Sequence, residues 1–114
     1  MRILIVDDQP DVTEGICALL RTLGHDAVGA LSGFEAIDRF GSGGFDLVVI
    51  DVVMPAMNGL ELIRHVRSNA PGTRIVAMTG TGLDFAEALA EFGIRFVHKP
   101  ITTLEQTADL VRED

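Results

Sequence analysis

Four apolar stretches of this chain stop on residues that can do chemistry. "RILIVDD" ends in Asp7 and Asp8, and "LVVI" is followed directly by Asp51. "TRIVAMTG" reaches the hydroxyl of Thr79, and "IRFVHKP" reaches the ammonium of Lys99 just before Pro100. Carboxylates gathered in one place repel each other unless a cation joins them or they take up protons. A hard divalent ion with oxygen ligands is the natural partner. Magnesium typically takes one or two carboxylates, and waters and phosphate oxygens fill its remaining positions. If they meet, Asp7, Asp8 and Asp51 suit a Mg2+ (or Mn2+) site that works on a phosphorylated group.

Whether they meet depends on the elements that carry them. Five runs have strand length: "RILIV" (2–6), "DAVGA" (26–30), "DLVVI" (46–50), "TRIVAM" (73–78) and "IRFVH" (94–98). Helical patterns alternate with them. Val12, Ile16, Leu19, Leu20 and Leu23 follow the 3.6-residue period, with Gly24 placed to end that helix. Ser32 with Glu35 and Asn58 with Glu61 have capping-box spacing at the next two helix starts. Those patterns run toward Gly41 and Pro71. "LDFAEALAEF" stops at Gly93, and Thr102/Glu105 and Thr103/Gln106 overlap as start signals for the last helix.

The order is (βα)5, which implies an α/β fold with a parallel sheet covered by helices on both faces. In such sheets functional groups collect beyond the carboxyl ends of the strands. Asp7-Asp8, Asp51, Thr79 and Lys99 all fall there. With the first and third strands adjacent, the three carboxylates would share one place, with the hydroxyl and ammonium to one side.

The 114 residues, 47% hydrophobic with no Trp or Tyr, fit one domain over 1–114 whose core is aliphatic plus Phe and Met. A net charge of −8 argues against direct binding of nucleic acid or of anionic membrane surfaces. No apolar run approaches the roughly 18 residues of a membrane span. Asp7 and Asp8 interrupt the region a signal peptide would keep apolar, so a soluble, cytoplasmic chain is expected. Cys17 stands alone within "GICALL" and reads as a buried structural thiol. His25, His65 and His98 have no metal-ligand spacing. "GTG" at 80–82 lacks the Lys-Ser/Thr of a phosphate-binding loop.

Taken in order, Asp7-Asp8, the segment Asp51-x-x-Met54-Pro55-x-Met57-x-Gly59, Thr79-Gly80 and Lys99-Pro100 resemble the motifs of response-regulator receiver domains. These are the phosphorylated modules of two-component signalling, and the resemblance runs over essentially the whole length. It implies a flavodoxin-like doubly wound sheet with strand order 2-1-3-4-5. It makes Asp51 the phosphoacceptor, attacking a phosphohistidine on a sensor histidine kinase or histidine phosphotransfer protein. It gives the metal to Asp7, Asp8, Asp51 and the backbone carbonyl of Val53, and it turns Lys99 and Thr79 toward the phosphoryl oxygens. It also implies a cis Lys99-Pro100 peptide and a switch in which Thr79 moves and Phe96 turns inward. The chain would catalyse only its own phosphorylation and dephosphorylation. Its downstream partner or effector domain is not readable from the sequence.

Some positions depart from the family pattern. The interval from Thr79 to Lys99 is about two residues short, which implies a trimmed fourth helix or a tighter loop at "TGTGLD". Phe96 has no hydroxyl, so its inward state gains packing without a hydrogen bond. Val53 and Thr81 flank the expected phosphoryl position. An apolar Val53 cannot orient an attacking water, so a long-lived phosphorylated form is expected. Finding that Val53→Asn dephosphorylates no faster would count against this. A phosphatase with an aspartyl nucleophile usually carries a second acid where Val53 stands. A flavin carrier would have a Ser/Thr/Gly-rich loop where "DDQPD" stands. A degenerate receiver would have lost part of the set.

Overall fold

The computed structural model describes residues 1–41, 43–52, 59–80 and 90–112. Its strands are β1 (Arg2–Val6), β2 (Asp26–Ala30), β3 (Leu47–Asp51), β4 (Arg74–Thr79) and β5 (Arg95–His98), all parallel, in the order β2-β1-β3-β4-β5. The helices are α1 (Pro10–Thr22), α2 (Gly33–Gly41), α3 (Gly59–Asn69) and the C-terminal helix (Leu104–Val111). Residues 90–92 are also helical and close at Gly93, where φ is +68°. The first and third strands are neighbours, so the expected order holds.

The two-residue period of the strands splits the core between the two faces of the sheet. Ile3, Ile5, Leu47, Val49, Val76 and Met78 face α1 and the C-terminal helix, meeting Ile16, Cys17, Leu20 and Leu110. Leu4, Val6, Val48, Ile50, Ile75 and Ala77 face α2 and α3, meeting Ala36, Leu62, Ile63 and Val66. β1 and β3 are therefore apolar on both sides, as central parallel strands must be. Apart from Arg2 at the start of β1, their polar residues fall at or just after the carboxyl ends.

Local signals fix most of the helix ends. Pro10 opens α1 at a position where a missing N–H costs nothing. After it, Gly24 takes a φ of +91° that a side chain would resist. Ser32 Oγ accepts from the Glu35 N–H at 3.0 Å, but the Glu35 carboxylate reaches back to the Leu31 N–H. Only half of the expected box forms. Of the two overlapping start signals before the C-terminal helix, Thr103/Gln106 forms the full reciprocal box. Asn58 and most of "LDFAEALAEF" lie outside the described residues.

The last turn of the C-terminal helix is held by side chains rooted at the starts of β4 and β5. Arg74 donates to the carbonyls of Val111 and Arg112, at 3.2 and 2.7 Å. Arg95 donates to those of Asp109 and Leu110, at 2.7 and 3.1 Å, and pairs with the Asp109 carboxylate.

Candidate functional site

Each site residue sits where its strand stops. Asp7 follows β1, and its N–H donates to Ala30 O of β2 at 3.1 Å. Asp51 is the last residue of β3 and pairs in register with Met78. Thr79 ends β4, and its carbonyl accepts from the Lys99 N–H at 2.9 Å, carrying the β4–β5 ladder one step past His98. The Lys99-Pro100 peptide is cis. Gly59, at the start of α3, lies against the backbone after Asp51. Its N–H donates to Val52 O at 3.2 Å, and a Cβ there would overlap Val52 Cα and lie 2.7 Å from Asp51 O.

The sheet therefore brings together what the sequence reading expected. Asp7, Asp8 and Asp51 each offer a carboxylate oxygen within 4.8 Å of the others. Asp7 is fully buried and Asp51 nearly so, whereas Asp8 is exposed and opens the cluster to solvent. Lys99 reaches in from β5, its Nζ 3.1 Å from Asp51 Oδ2 and 2.8 Å from Asp7 Oδ2. Burial alone would lower the ammonium's pKa. The attraction of the Asp7 and Asp51 carboxylates outweighs that and holds it above its ordinary value.

The Asp7 Oδ2 contact has the distance of an ion pair but not hydrogen-bond alignment, so this buried oxygen accepts no directed bond. Its uncommitted lone pairs test the fit of a metal. Opposite oxygens around a six-coordinate Mg2+ lie about 4.2 Å apart. A slight closing of the 4.8 Å cluster, or one bridging water, would accommodate the ion.

Thr79 is fully buried beside the cluster. Phe96 is half-buried, pairs in register with Ala77, and packs on the α2/α3 side of the core. Its ring meets His98 edge to face, with centroids 5.6 Å apart. Val53, Met54, Pro55, Met57 and Thr81 lie outside the described residues. His25 contacts the N-terminal amine and His65 contacts Asn69, both away from the acids. Cys17 is a buried free thiol, and burial raises its pKa, with Arg21 opposing and Glu14 adding to the effect.

Two features of the site were not visible in the sequence. Asp7 Oδ1 accepts from the Gln9 N–H at 3.0 Å, and the Thr13 hydroxyl donates to the Asp7 carbonyl at 2.9 Å. A threonine in the first turns of an amphipathic helix gives no hint that it turns back toward the preceding strand.

A five-stranded parallel sheet in this order, with an acid trio and a lysine at its carboxyl edge, defines a phosphoryl-signalling module of flavodoxin-like fold. The model of the response regulator receiver domain matches residues 3–111, and the chain belongs to that family. TrcR, a transcriptional regulatory protein of Mycobacterium tuberculosis, is 32% identical over 96% of this chain and 44% of its own length. Sensor kinase CckA of Brucella abortus is 37% identical over 97% of this chain but only 12% of its own length. The chain thus spans less than half of the curated relatives it matches. Among solved structures, the chemotaxis protein CheY4 of Vibrio cholerae superposes with a TM-score of 0.86 at 26% identity, covering 95% of this chain and 92% of that one. TrrA of Thermotoga maritima, in complex with Mg2+-BeF, gives 0.82 at 30% identity, covering 95% and 94%. The chain is a receiver domain of two-component signalling. Receiver domains bind Mg2+ at an acidic cluster and take phosphoryl groups on aspartate from histidine kinases or phosphotransfer proteins. Among the described residues, no helix is long and apolar enough to cross a membrane.

Proposed function

We propose that residues 1–114 form one receiver domain whose Asp51 accepts a phosphoryl group from a phosphohistidine, in a Mg2+-dependent reaction that switches the domain between two states. One observation carries this reading: the Lys99 ammonium lies 3.1 Å from Asp51 inside a cluster of three acids. Asp51 supplies the nucleophile. One of its carboxylate oxygens bonds to phosphorus as the bond from phosphorus to the imidazole nitrogen breaks, and the imidazole leaves with the electron pair. Lys99 stands beside that oxygen, placed to pair with a phosphoryl oxygen as charge arrives. Thr79, at the end of the neighbouring strand, is the hydroxyl for a second one.

Asp7, Asp8, Asp51 and the Val53 carbonyl would hold the ion, which when bound neutralises the phosphoryl oxygens and aligns them for in-line transfer. The Mg2+-BeF complex of the similar TrrA domain supports that assignment. Thr79 and Phe96 form the switch, biased by the phosphoryl group toward the state with Thr79 drawn in and Phe96 turned inward. The domain catalyses only its own phosphorylation and hydrolysis. We assign α1 and the loops at the acid cluster to docking of the kinase or phosphotransfer protein. A groove of about 510 Å³ there, between α1 and the 100–102 segment and lined by Val12, Leu19 and Ile101, supports this. Partners of that kind place the reaction in the cytoplasm.

The test is intact mass after incubation with a small-molecule phosphodonor, with and without magnesium, beside Asp51→Asn. The expected result is a magnesium-dependent gain of one phosphoryl group that the variant lacks. A folded wild type that gains nothing, or a variant that gains as much, would overturn the reading.

A further inference from the structure

Taking the proposed function as its basis, we infer that Thr13 is a positioning residue that presets the acid pair for metal, and that Gly29 is matched to it as the strand residue that leaves it room. The turn from Asp7 to Pro10 carries both acids of the pair. Asp7 is gripped in that turn at three atoms: its N–H by Ala30 O of β2, its Oδ1 by the Gln9 N–H, and its carbonyl by the Thr13 hydroxyl. The last of these is the one grip supplied by a side chain. It comes from α1, whose first turn is closed by the Thr13 N–H on Gln9 O at 3.1 Å. The grip turns Oδ2 toward Asp51 and Lys99, where it ion-pairs with the ammonium, instead of leaving the side chain to find that pose during binding.

Thr13 is itself only 4% exposed. Its Cγ2 occupies the space a side chain on Gly29 would fill: a Cβ there would overlap that methyl and come within 3.8 Å of Cys17 Sγ. A β-branched side chain on a helix has little χ1 freedom, so Thr13 cannot step aside while keeping its hydroxyl on Asp7. Gly29 thus acts on the metal site without touching it. It governs where Thr13 sits, and Thr13 governs where Asp7 points.

This predicts a size-swap pattern. Thr13→Val keeps the shape and loses the hydroxyl. Gly29→Ala keeps the hydroxyl and displaces it. Thr13→Ser/Gly29→Ala keeps the hydroxyl and removes the clashing methyl. Magnesium chloride is titrated into each variant of the whole chain, and affinity is read from backbone amide shifts near the acids, which also report folding. The magnesium dependence of phosphorylation by a small-molecule phosphodonor is measured in parallel.

Thr13→Val and Gly29→Ala should each weaken magnesium binding roughly tenfold, the scale of losing a group that orients a ligand. Thr13→Ser and the double variant should return close to wild type. Half-saturating magnesium for phosphorylation should rise in the two weakened variants while the rate at saturation holds. A folded Thr13→Val with wild-type affinity overturns the inference. If that variant does not fold, Gly29→Ala and the double variant decide, and a double variant no better than Gly29→Ala overturns it. A wild type that takes up neither magnesium nor phosphoryl group would instead overturn the proposed function.

Discussion

Replacing Lys99 with Met removes an ammonium paired with two carboxylates that are almost wholly shielded from water. The Nζ separations of 2.8 and 3.1 Å correspond to roughly 5–6 kcal/mol of gross attraction each at an effective dielectric of about 20. Desolvation offsets most of it. Removing one partner from a buried pair costs about 3–5 kcal/mol, because the other charge is left buried and uncompensated. Here the lysine side chain keeps 17% exposure and Asp8 opens the cluster to solvent, so about 2–3 kcal/mol is expected without metal. For a domain stable by about 5–15 kcal/mol that is a large share.

The assay is urea unfolding at neutral pH in the presence of a chelator. It is followed by far-ultraviolet circular dichroism, because the chain has no Trp or Tyr. With a slope of about 1–3 kcal/mol per molar urea, the midpoint should fall by about 1–2 M. Saturating magnesium should narrow the gap, since it supplies a second cation for the same oxygens and stabilises whichever form binds it more tightly. Equal midpoints for variant and wild type in chelator would show that the ammonium is not the counter-charge of the site, and the argument would fail.

Other perturbations follow from the same geometry. Gly59→Ala pushes a methyl into the backbone of Asp51 and Val52, atoms that cannot rotate away. It should cost about 1–3 kcal/mol in urea unfolding and slow phosphoryl uptake even in saturating magnesium, and wild-type behaviour on both counts would refute it. Cys17 is raised by burial, so between the unfolded thiol value of about 8.5 and its higher folded value only the unfolded chain gives up the proton. Over that window stability should fall as pH rises, by up to about 1.4 kcal/mol per unit. That component should vanish in Cys17→Ala, and identical slopes would refute it. Thr103→Ala removes the capping hydroxyl of the C-terminal helix and should cost about 1 kcal/mol, measured against Thr102→Ala as a control of little effect.

Residue type and order were enough to put the candidate site residues at strand ends. Asp7, Asp8, Asp51, Thr79 and Lys99 stand at strand ends because strand ends are where apolar runs give way. That they meet depends on the strand order, which came with the resemblance to receiver domains and which the sheet bears out. What escaped the sequence depends on partners distant along the chain. β3 includes Asp51 because the backbone opposite Met78 continues the ladder, which hydropathy does not register. β4 and β5 start at Arg74 and Arg95, one residue later than their apolar patterns suggested, because their ladders begin there. Gly29 carried no signal of its own in "DAVGA", and its use appears only when α1 is laid across it. The choice of Thr103 over Thr102 as cap turns on which backbone is extended where the helix begins, and both threonines offer the same hydroxyl.

The arginines at the starts of β4 and β5 give the fold a mechanical property. The last carbonyls of a helix have no partner within it and must find donors elsewhere. Here Arg74 and Arg95 supply them. The strand that Arg95 opens also carries Phe96 and leads into Lys99, the residue at the acid end. β5 is therefore a short push-rod: one end sits at the carboxylates and the other is bolted through a guanidinium to the carboxyl end of the C-terminal helix. Sliding or tilting β5 at either end loads the other, across the full depth of the sheet.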